Sequence, residues 1–216
     1  MKNIFALLYL FSLSILSQEK INEQRKAKSN PVIYADLILG PSMELSGAGT
    51  LFIGGALNFQ NKNDLFSLRY IENADLKTTW FVFFPIFITR STNNEMALLY
   101  GKRFINDNKS YSFSGGLSYN NYEKYSYDYN NNTLLSNVPA NQITTSSENF
   151  LGFPFEAEVR WFNSQKERYR IFYGLIPIGK PTSFGRSFGF KILGNISKQS
   201  YVGAGLIFGL GLHKQY

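Results

Sequence analysis

The fold is decided by residues 111–119, which read Tyr-Ser-Phe-Ser-Gly-Gly-Leu-Ser-Tyr. Tyr111, Phe113, Leu117 and Tyr119 fall on one side of this stretch when successive side chains point in opposite directions. The other side holds only serine and glycine. A period of two residues is typical of a β-strand, and this strand has two chemically distinct faces.

The same alternation recurs on both sides of this stretch. Residues 151–161 place large apolar side chains on one face, and Glu156, Glu158 and Arg160 on the other. Residues 202–212 alternate large apolar residues mainly with glycine. Clusters of Asn, Asp, Lys and Ser separate such segments and are typical of turns. We predict eight strands, near residues 31–41, 47–60, 64–74, 94–106, 109–121, 149–163, 186–196 and 199–213.

The class of protein depends on which of the two alternating sets of side chains points into the barrel. An eight-stranded barrel has an interior barely wide enough for side chains. One set of alternating residues is rich in Phe, Leu, Tyr and Ile, and the other is mainly Gly, Ser, Ala and Thr with scattered charges. The sequence therefore predicts an all-β fold, an antiparallel up-and-down transmembrane β-barrel with the large set facing lipid. A soluble lipid-binding barrel with the opposite orientation is the alternative.

Two further segments, residues 79–90 and 168–178, leave a ten-stranded barrel open as an alternative. Residues 164–185 are too long for the short periplasmic turn that is expected there, and Pro177 and Pro181 interrupt their alternation. Ten strands would move the longest loop to the periplasmic side, where turns are usually short. We therefore favour eight.

Composition excludes several other classes. The chain has 216 residues, of which 17% are aromatic, and this content argues against disorder and against a coiled coil. It has no cysteine and a single histidine, His213, so disulfides, thiolate metal sites and multi-histidine metal sites are excluded within one chain. The formal net charge of +7 lacks a dense basic run, so we expect no nucleic-acid partner. We expect no metal and no cofactor.

The N-terminus reads as an export signal. Lys2 precedes an apolar stretch from Ile4 to Leu16, and Ser17 is a small residue before polar sequence. We predict a signal peptide over 1–17, a flexible segment over 18–30 and the barrel over 31–216. A membrane-anchoring helix is the alternative, but 13 apolar residues are fewer than the roughly 20 that span a bilayer. The predicted location is the bacterial outer membrane.

The polar face of the eight strands collects four acids and four bases. We predict that they form a lumenal network of ion pairs and hydrogen bonds that plugs the barrel, because charges buried in a narrow space must be paired. A gated path, which would make the protein a narrow pore for small solutes, is the alternative. The residues are Asp36, Arg69, Glu95, Arg103, Glu156, Glu158, Arg160 and Lys191.

Loops that face outward would carry any recognition function. With both termini in the periplasm, the outward loops fall near 42–46, 75–93, 122–148 and 196–198. The third is the longest, and its tyrosines and asparagines suit the recognition of an extracellular glycan or protein. The alternative is a solvated loop whose tyrosines lie at the membrane interface. The candidate recognition residues are Tyr122, Tyr125, Tyr127 and Tyr129.

Three pieces of sequence resemble small bacterial outer-membrane β-barrel proteins, similar in architecture to the OmpA transmembrane domain and OmpX. They are residues 95–102, residues 154–158 and a final strand with the terminal aromatic Tyr216. The resemblance implies contact with outer-membrane lipid and assembly by the barrel-assembly machinery. Phe208, Leu210 and Leu212, with Tyr216, would form the signal that this machinery reads. A closed barrel has no free strand edge, so we expect a monomer.

An alternative function from a different class is an enzyme, namely a lipid-modifying barrel of the outer membrane. Such chemistry usually needs a histidine beside a serine or an acid, and His213 lies at the end of the last predicted strand. Glu156 and Glu158 share a face, but Arg160 beside them favours structural pairing over acid–base work. We therefore predict no catalytic residue.

Overall fold

The computed structural model describes residues 32–45, 47, 49–81, 84–129, 139–163, 167–172, 175–182 and 184–214. The predicted signal peptide, the predicted flexible segment over 18–30 and Tyr216 lie outside this part of the chain. No helix among the described residues is long and apolar enough to cross a membrane.

Eight antiparallel strands close into a barrel in the order β1-β10-β9-β6-β5-β4-β3-β2. This arrangement confirms the predicted all-β fold and the strand count of eight. Each strand pairs with its neighbours in sequence, except where β6 pairs with β9 and β1 pairs with β10. The strands of the chain are β1 (Val32–Glu44), β2 (Gly49–Asn61), β3 (Asp64–Phe81), β4 (Phe84–Asn106), β5 (Lys109–Tyr129), β6 (Pro139–Phe162), β7 (Glu167–Ile171), β8 (Ile176–Thr182), β9 (Phe184–Ile196) and β10 (Tyr201–Leu212).

The two ends of the barrel differ. At one end, here called the turn end, short turns at residues 62–63 and 107–108 join β2 to β3 and β4 to β5. Lys62 and Asp107 adopt φ values of 55° and 50°, the left-handed conformation that tight turns require. At the other end, here called the hairpin end, β3 with β4 and β5 with β6 form the longest hairpins.

The prediction of loops over 75–93 and 122–148 is wrong for most of their length, because the structure has paired strands there. β3 and β4 stay paired until Phe81 lies opposite Phe84, and β5 and β6 until Tyr129 lies opposite Pro139. The strands here lack the contrast between apolar and polar faces on which the prediction rested. Thr, Tyr and Ile still favour extended backbone and form cross-strand pairs, so strands persist without that contrast.

The described part of residues 164–185 adds no further strand to the barrel. β7 pairs with β8 in a separate two-stranded sheet, so neither joins the barrel. The other segment required for ten strands, residues 79–90, is divided between β3 and β4. The ten-stranded alternative is therefore wrong.

The inner face is less uniformly small and polar than predicted. Besides the charged residues, the lumen buries a cluster of large side chains towards the hairpin end: Ile38, Phe52, Ile71, Leu193, Tyr201 and Ile207. Glycines on β9 and β10 leave space beside this cluster. A Cβ atom on Gly205 would lie 2.7 Å from Cζ of Phe52, and one on Gly189 would lie 2.9 Å from Cδ1 of Ile207. Inward glycines thus accommodate inward aromatic and branched residues.

Candidate functional site

All eight predicted network residues have buried side chains on the inner face. Asp36, the most exposed of them, has a relative accessibility of only 7%. They lie on β1, β3, β4, β6 and β9, so residues far apart in sequence meet across the lumen. With four acids and four bases, the set carries no net formal charge.

Arg160 is the centre of the network at the turn end. Its Nη1 and Nη2 atoms donate to the two carboxylate oxygens of Asp36, each at 2.6 Å. Its Nε donates to Oε1 of Glu158 at 2.6 Å, and Nη1 also donates to Oγ of Ser187 at 2.8 Å. The guanidinium lies over the ring of Tyr34, 4.5 Å from its centroid. Such bidentate, charge-assisted pairing fixes the side chain in one orientation.

From Glu158 the ion pairs continue towards the hairpin end. Nζ of Lys191 lies 3.2 Å from Oε2 of Glu158 and 3.1 Å from Oε2 of Glu156. Arg69 continues the chain: its Nη1 atom lies 2.9 Å from Oε2 of Glu156, and its Nη2 atom lies 2.5 Å from Oε1 of Glu95. Seven of the eight predicted residues therefore form one continuous chain of ion pairs, from Asp36 to Glu95.

Polar residues that the sequence argument did not single out extend this chain at Glu95. Its Oε2 atom accepts hydrogen bonds from Nδ2 of Asn195 at 2.6 Å and from the Tyr201 hydroxyl at 2.8 Å. Asn195 also contacts Oγ of Ser118 at 3.0 Å and Oδ1 of Asn120 at 2.9 Å. These residues share the inward phase of their strands with the charged residues. Their inward position in the alternation is therefore the sequence signal that could have identified them.

Arg103 lies outside the chain of ion pairs. Its Nη1 atom donates to Oε1 of Gln60 at 2.6 Å and to the carbonyl of His213 at 3.1 Å. The guanidinium also lies over two rings, 4.8 Å from the centroid of Tyr34 and 5.6 Å from that of Phe162. Its Nε atom donates to Oγ of Ser110 at 3.1 Å. Among the described residues Arg103 forms no ion pair, so amide, carbonyl, hydroxyl and aromatic groups surround this cation.

His213 follows β10 and closes the lumen at the turn end. Its ring centroid lies 5.0 Å from that of Tyr34 and 5.8 Å from that of Phe162. Burial, together with the nearby Arg160 and Arg103 guanidiniums, lowers the pKa of His213 to about 3. The imidazole is therefore neutral at ordinary pH. No serine or carboxylate side chain of the described residues is hydrogen-bonded to it.

The four tyrosines predicted for a recognition loop lie on β5 instead, which corrects their placement. Tyr122, Tyr125 and Tyr127 are half-buried, and Tyr129 is the last residue of the strand. The Tyr125 hydroxyl contacts Oγ1 of Thr92 and Oε2 of Glu123, each at 2.9 Å, and the Tyr127 hydroxyl donates to the carbonyl of Thr89. The backbone pairing of β4 and β5 ends at Ser91. Beyond that residue, Tyr125 and Tyr127 connect the two strands through their side chains.

β6 has an open backbone edge at the hairpin end. Within the described residues, the far ends of β3, β4 and β5 are likewise paired on one side only. β6 pairs with β9 only from Phe153 towards the turn end, so residues 139–152 are paired with β5 alone within the described part of the chain. The side chains from Ile143 to Asn149 are exposed. The backbone groups along this edge are available to an additional strand.

The predicted assembly residues on β10 point outward. Phe208 and Leu210 are 45% and 43% exposed, and Leu212 is half-exposed. These positions agree with a lipid-facing surface, but they do not test recognition by an assembly machinery.

No family model matches the sequence, and no curated protein matches it. Solved structures similar to this chain include the N-terminal β-barrel domain of OprF from Pseudomonas aeruginosa, with 12% identity, a TM-score of 0.45, and coverage of 85% of this chain and 98% of that one. Another is Neisserial surface protein A, with 10% identity, a TM-score of 0.47, and coverage of 85% and 97%. A third is Ail, the attachment invasion locus protein of Yersinia pestis, with 8% identity, a TM-score of 0.48, and coverage of 86% and 99%. No residue's role carries over from them at these identities.

Proposed function

We propose that this chain is an integral outer-membrane β-barrel protein with a closed lumen, which acts at the cell surface through the sheet at its hairpin end. The observation that supports membrane embedding is the inversion of polarity across the barrel wall. Leu57, Leu98 and Leu117 point outward and are 61–68% exposed, whereas the charged network points inward. A closed barrel satisfies its backbone hydrogen bonds internally and can therefore span hydrocarbon.

The same polarity argues against a soluble lipid-binding barrel. Such a protein would need an apolar, open interior for its lipid, but ion pairs and large side chains occupy this interior. Its outward face would also place a nearly continuous apolar surface in water, which monomeric soluble proteins rarely do.

The lumen is filled at three levels, which supports a closed barrel over a narrow pore. Arg103 and its ring neighbours lie at the turn end, and the chain of ion pairs occupies the middle. The apolar cluster around Phe52 and Ile71 lies towards the hairpin end. Ions would have to displace paired charges or closely packed side chains to pass.

The proposal includes no catalysis. Glu156 and Glu158 are both engaged by cations within the network, and neither is free to transfer a proton to a substrate. His213 is enclosed by aromatic rings and guanidiniums. Neither group has the neighbours that a nucleophile or a general base requires.

Reconstitution into vesicles tests the membrane part of the proposal. The purified full chain is folded into phosphatidylcholine vesicles that contain a small entrapped dye. Dye retention is measured on one portion of the vesicles, and a second portion is washed with alkaline carbonate. We expect the vesicles to retain the dye. We also expect the protein to remain with the vesicle pellet after the carbonate wash and to migrate differently in SDS gels before and after heating. A porin in the same vesicles serves as the control for leakage.

The outcomes separate the two parts of the proposal. Release of the protein by carbonate would contradict membrane embedding. Retention of the protein with dye loss at the rate of the porin control would contradict only the closed lumen and would favour the narrow pore.

The open edge of β6 supports the surface role. In this geometry an extended segment of another polypeptide can add to the sheet, since main-chain hydrogen bonds supply affinity for an additional strand. The edge residues from Thr144 to Ser147 are β-branched or small and carry no charge that would oppose pairing. We therefore propose that the surface partner is an extended polypeptide rather than a glycan.

A shortened hairpin tests this role. Deletion of residues 125–142 leaves Ile143, Thr144 and Thr145 as a three-residue loop between the paired residues Lys124 and Ser146, a length that hairpins accept. Binding is measured to an immobilised unfolded polypeptide, reduced and alkylated casein, and to an immobilised glycan panel. We expect the deletion to weaken binding to casein about tenfold, the equivalent of one or two net hydrogen bonds.

Substitution of Ser126 by lysine, on β5 opposite Ile143, is the control for a general change in the sheet surface, and it should leave casein binding unchanged. Equal binding of casein by the parent and the deletion variant would contradict a role for residues 139–145 of the edge, which the deletion removes or converts into a loop. Loss of glycan binding alone would favour side-chain recognition by the tyrosines.

A further inference from the structure

A charged residue without an ion-pair partner among the described residues lies on the outward, apolar face of the barrel. Arg186 is exposed on β9, where the other outward positions are Phe184, Phe188, Phe190 and Ile192. Its cross-strand neighbour on β10 is Leu210, which is also exposed. Within the described residues, no carboxylate pairs with its guanidinium.

A guanidinium on the lipid-facing side of a barrel is stabilised by an anionic partner. Hydrocarbon cannot solvate the charge, and the penalty decreases only as the charge approaches the headgroups. The network charges cannot serve as partners because they point into the lumen. The phosphate groups of lipids can supply this anion, because the outward carboxylate of Asp64 is already paired with Lys102.

Arg186 borders a groove of about 570 Å³ at the turn end. Trp161, Phe188 and Phe208 form its apolar part, and Asn108 and Ser187 contribute polar atoms beside Arg186. Trp161 lies opposite Lys109 in the register, next to the turn at 107–108, so the groove lies at the level where the barrel wall ends. A tryptophan at that level is typical of a membrane–water interface.

We infer that this groove binds one phospholipid of the leaflet at the turn end, with a preference for a headgroup of net negative charge. This inference rests on the proposed membrane embedding. The lipid phosphodiester pairs with the Arg186 guanidinium, and an acyl chain lies along Trp161, Phe188 and Phe208. A zwitterionic headgroup binds less tightly, because its own ammonium competes for the phosphate.

Fluorescence of Trp161 tests the inference directly, since the chain contains only two tryptophans. Replacement of Trp80 by phenylalanine leaves Trp161 as the single reporter. The full chain is folded into phosphatidylcholine vesicles that contain a minor fraction of either phosphatidylglycerol or phosphatidylcholine with brominated acyl chains, which quench tryptophan on contact. We expect phosphatidylglycerol to quench Trp161 at about fivefold lower mole fraction, as one interfacial cation allows.

Two matched variants separate the groove from general attraction of anionic lipid. Arg186→Gln should abolish the preference for phosphatidylglycerol, whereas Lys62→Gln, which removes an exposed cation at the same end, should preserve it. Heat-modifiable migration in SDS gels verifies that each variant is folded.

Equal quenching by the two brominated lipids in the parent, or an undiminished preference in Arg186→Gln, would overturn the inference. Loss of the preference on addition of inorganic phosphate would assign the site to a free anion and would overturn the lipid assignment. Failure of the protein to enter vesicles would instead contradict the proposed function on which the site rests.

Discussion

Replacement of Arg160 by alanine should lower the free energy of unfolding of the barrel by about 3–5 kcal/mol. The substitution removes both hydrogen bonds to Asp36 and the bond to Glu158, all at 2.6 Å. Both carboxylates are buried, and Lys191 is the only other cation that contacts Glu158 among the described residues. Within the described part of the chain, Asp36 would keep only the hydrogen bond from Nδ2 of Asn58 at 2.7 Å. Removal of one partner from a buried pair costs more than the pair itself contributes, because the remaining charge stays buried with too little compensation.

The free energy is obtained from urea unfolding of the protein in vesicles, followed by tryptophan fluorescence and gel migration. Lys198→Ala is the control because it removes a cation from the exposed pair with Glu148, and the cost should be below about 1 kcal/mol. Arg160→Lys should fall between the two, since lysine keeps the charge but cannot pair with Asp36 through two parallel bonds. A loss in Arg160→Ala no larger than in Lys198→Ala would show that the network contributes little to stability.

The identity of the inward charged residues was predictable from sequence, but their partners were not. A period of two assigns each residue to a face, and Arg69, Glu95 and Lys191 all lie on the predicted one. Pairing across the lumen depends on the relative heights of residues on strands that are not adjacent in sequence, which the tilt and stagger of the barrel determine. Arg103 illustrates this limit, because it lies near the turn end and contacts Gln60 and aromatic rings instead of a carboxylate.

Large apolar residues inside the lumen were the part of the core that alternation could not assign. Tyr201 and Ile207 lie in phase with the glycines of β10, and Phe52 lies in phase with Gly54 and Ala56. Taken alone, each of these strands has an inner face of small residues that is interrupted by one or two large ones. Only the assembled barrel shows that these exceptions pack against one another, and that glycines on neighbouring strands provide the necessary space.

The ends of the strands were missed for a different reason. Lipid imposes the contrast between faces, so the contrast fades where a strand leaves the apolar belt, although the hydrogen-bonded ladder continues. Under the proposed membrane embedding, the predicted ends of β3 and β5 correspond to that change of surroundings and not to the end of pairing. The extended part of β5 and β6 carries the open edge, so the region that sequence reasoning assigned to a loop is the one that supports the surface role.

Gly209→Ala should destabilise the barrel by about 1–3 kcal/mol, because the added methyl group would occupy space that the network already uses. Its Cβ atom would lie 2.3 Å from Nη1 of Arg160 and from Oγ of Ser187, and 2.7 Å from Oδ1 of Asp36. Gly209 is the register partner of both Asp36 and Ser187, so its missing side chain is what allows one guanidinium nitrogen to reach both residues. Urea unfolding in vesicles measures the loss.

Gly115→Ala is the matched control, since the nearest atom to its added Cβ would be the carbonyl oxygen of Pro154 at 3.6 Å, and it should be nearly neutral. The combination with Arg160→Ala then distinguishes a clash with the network from a general effect on β10. With the guanidinium absent, Gly209→Ala should cost at least about 1 kcal/mol less than it does alone, because residues in direct contact are energetically coupled. Strict additivity of the two substitutions would show that the glycine is required by the strand itself and not by the network beside it.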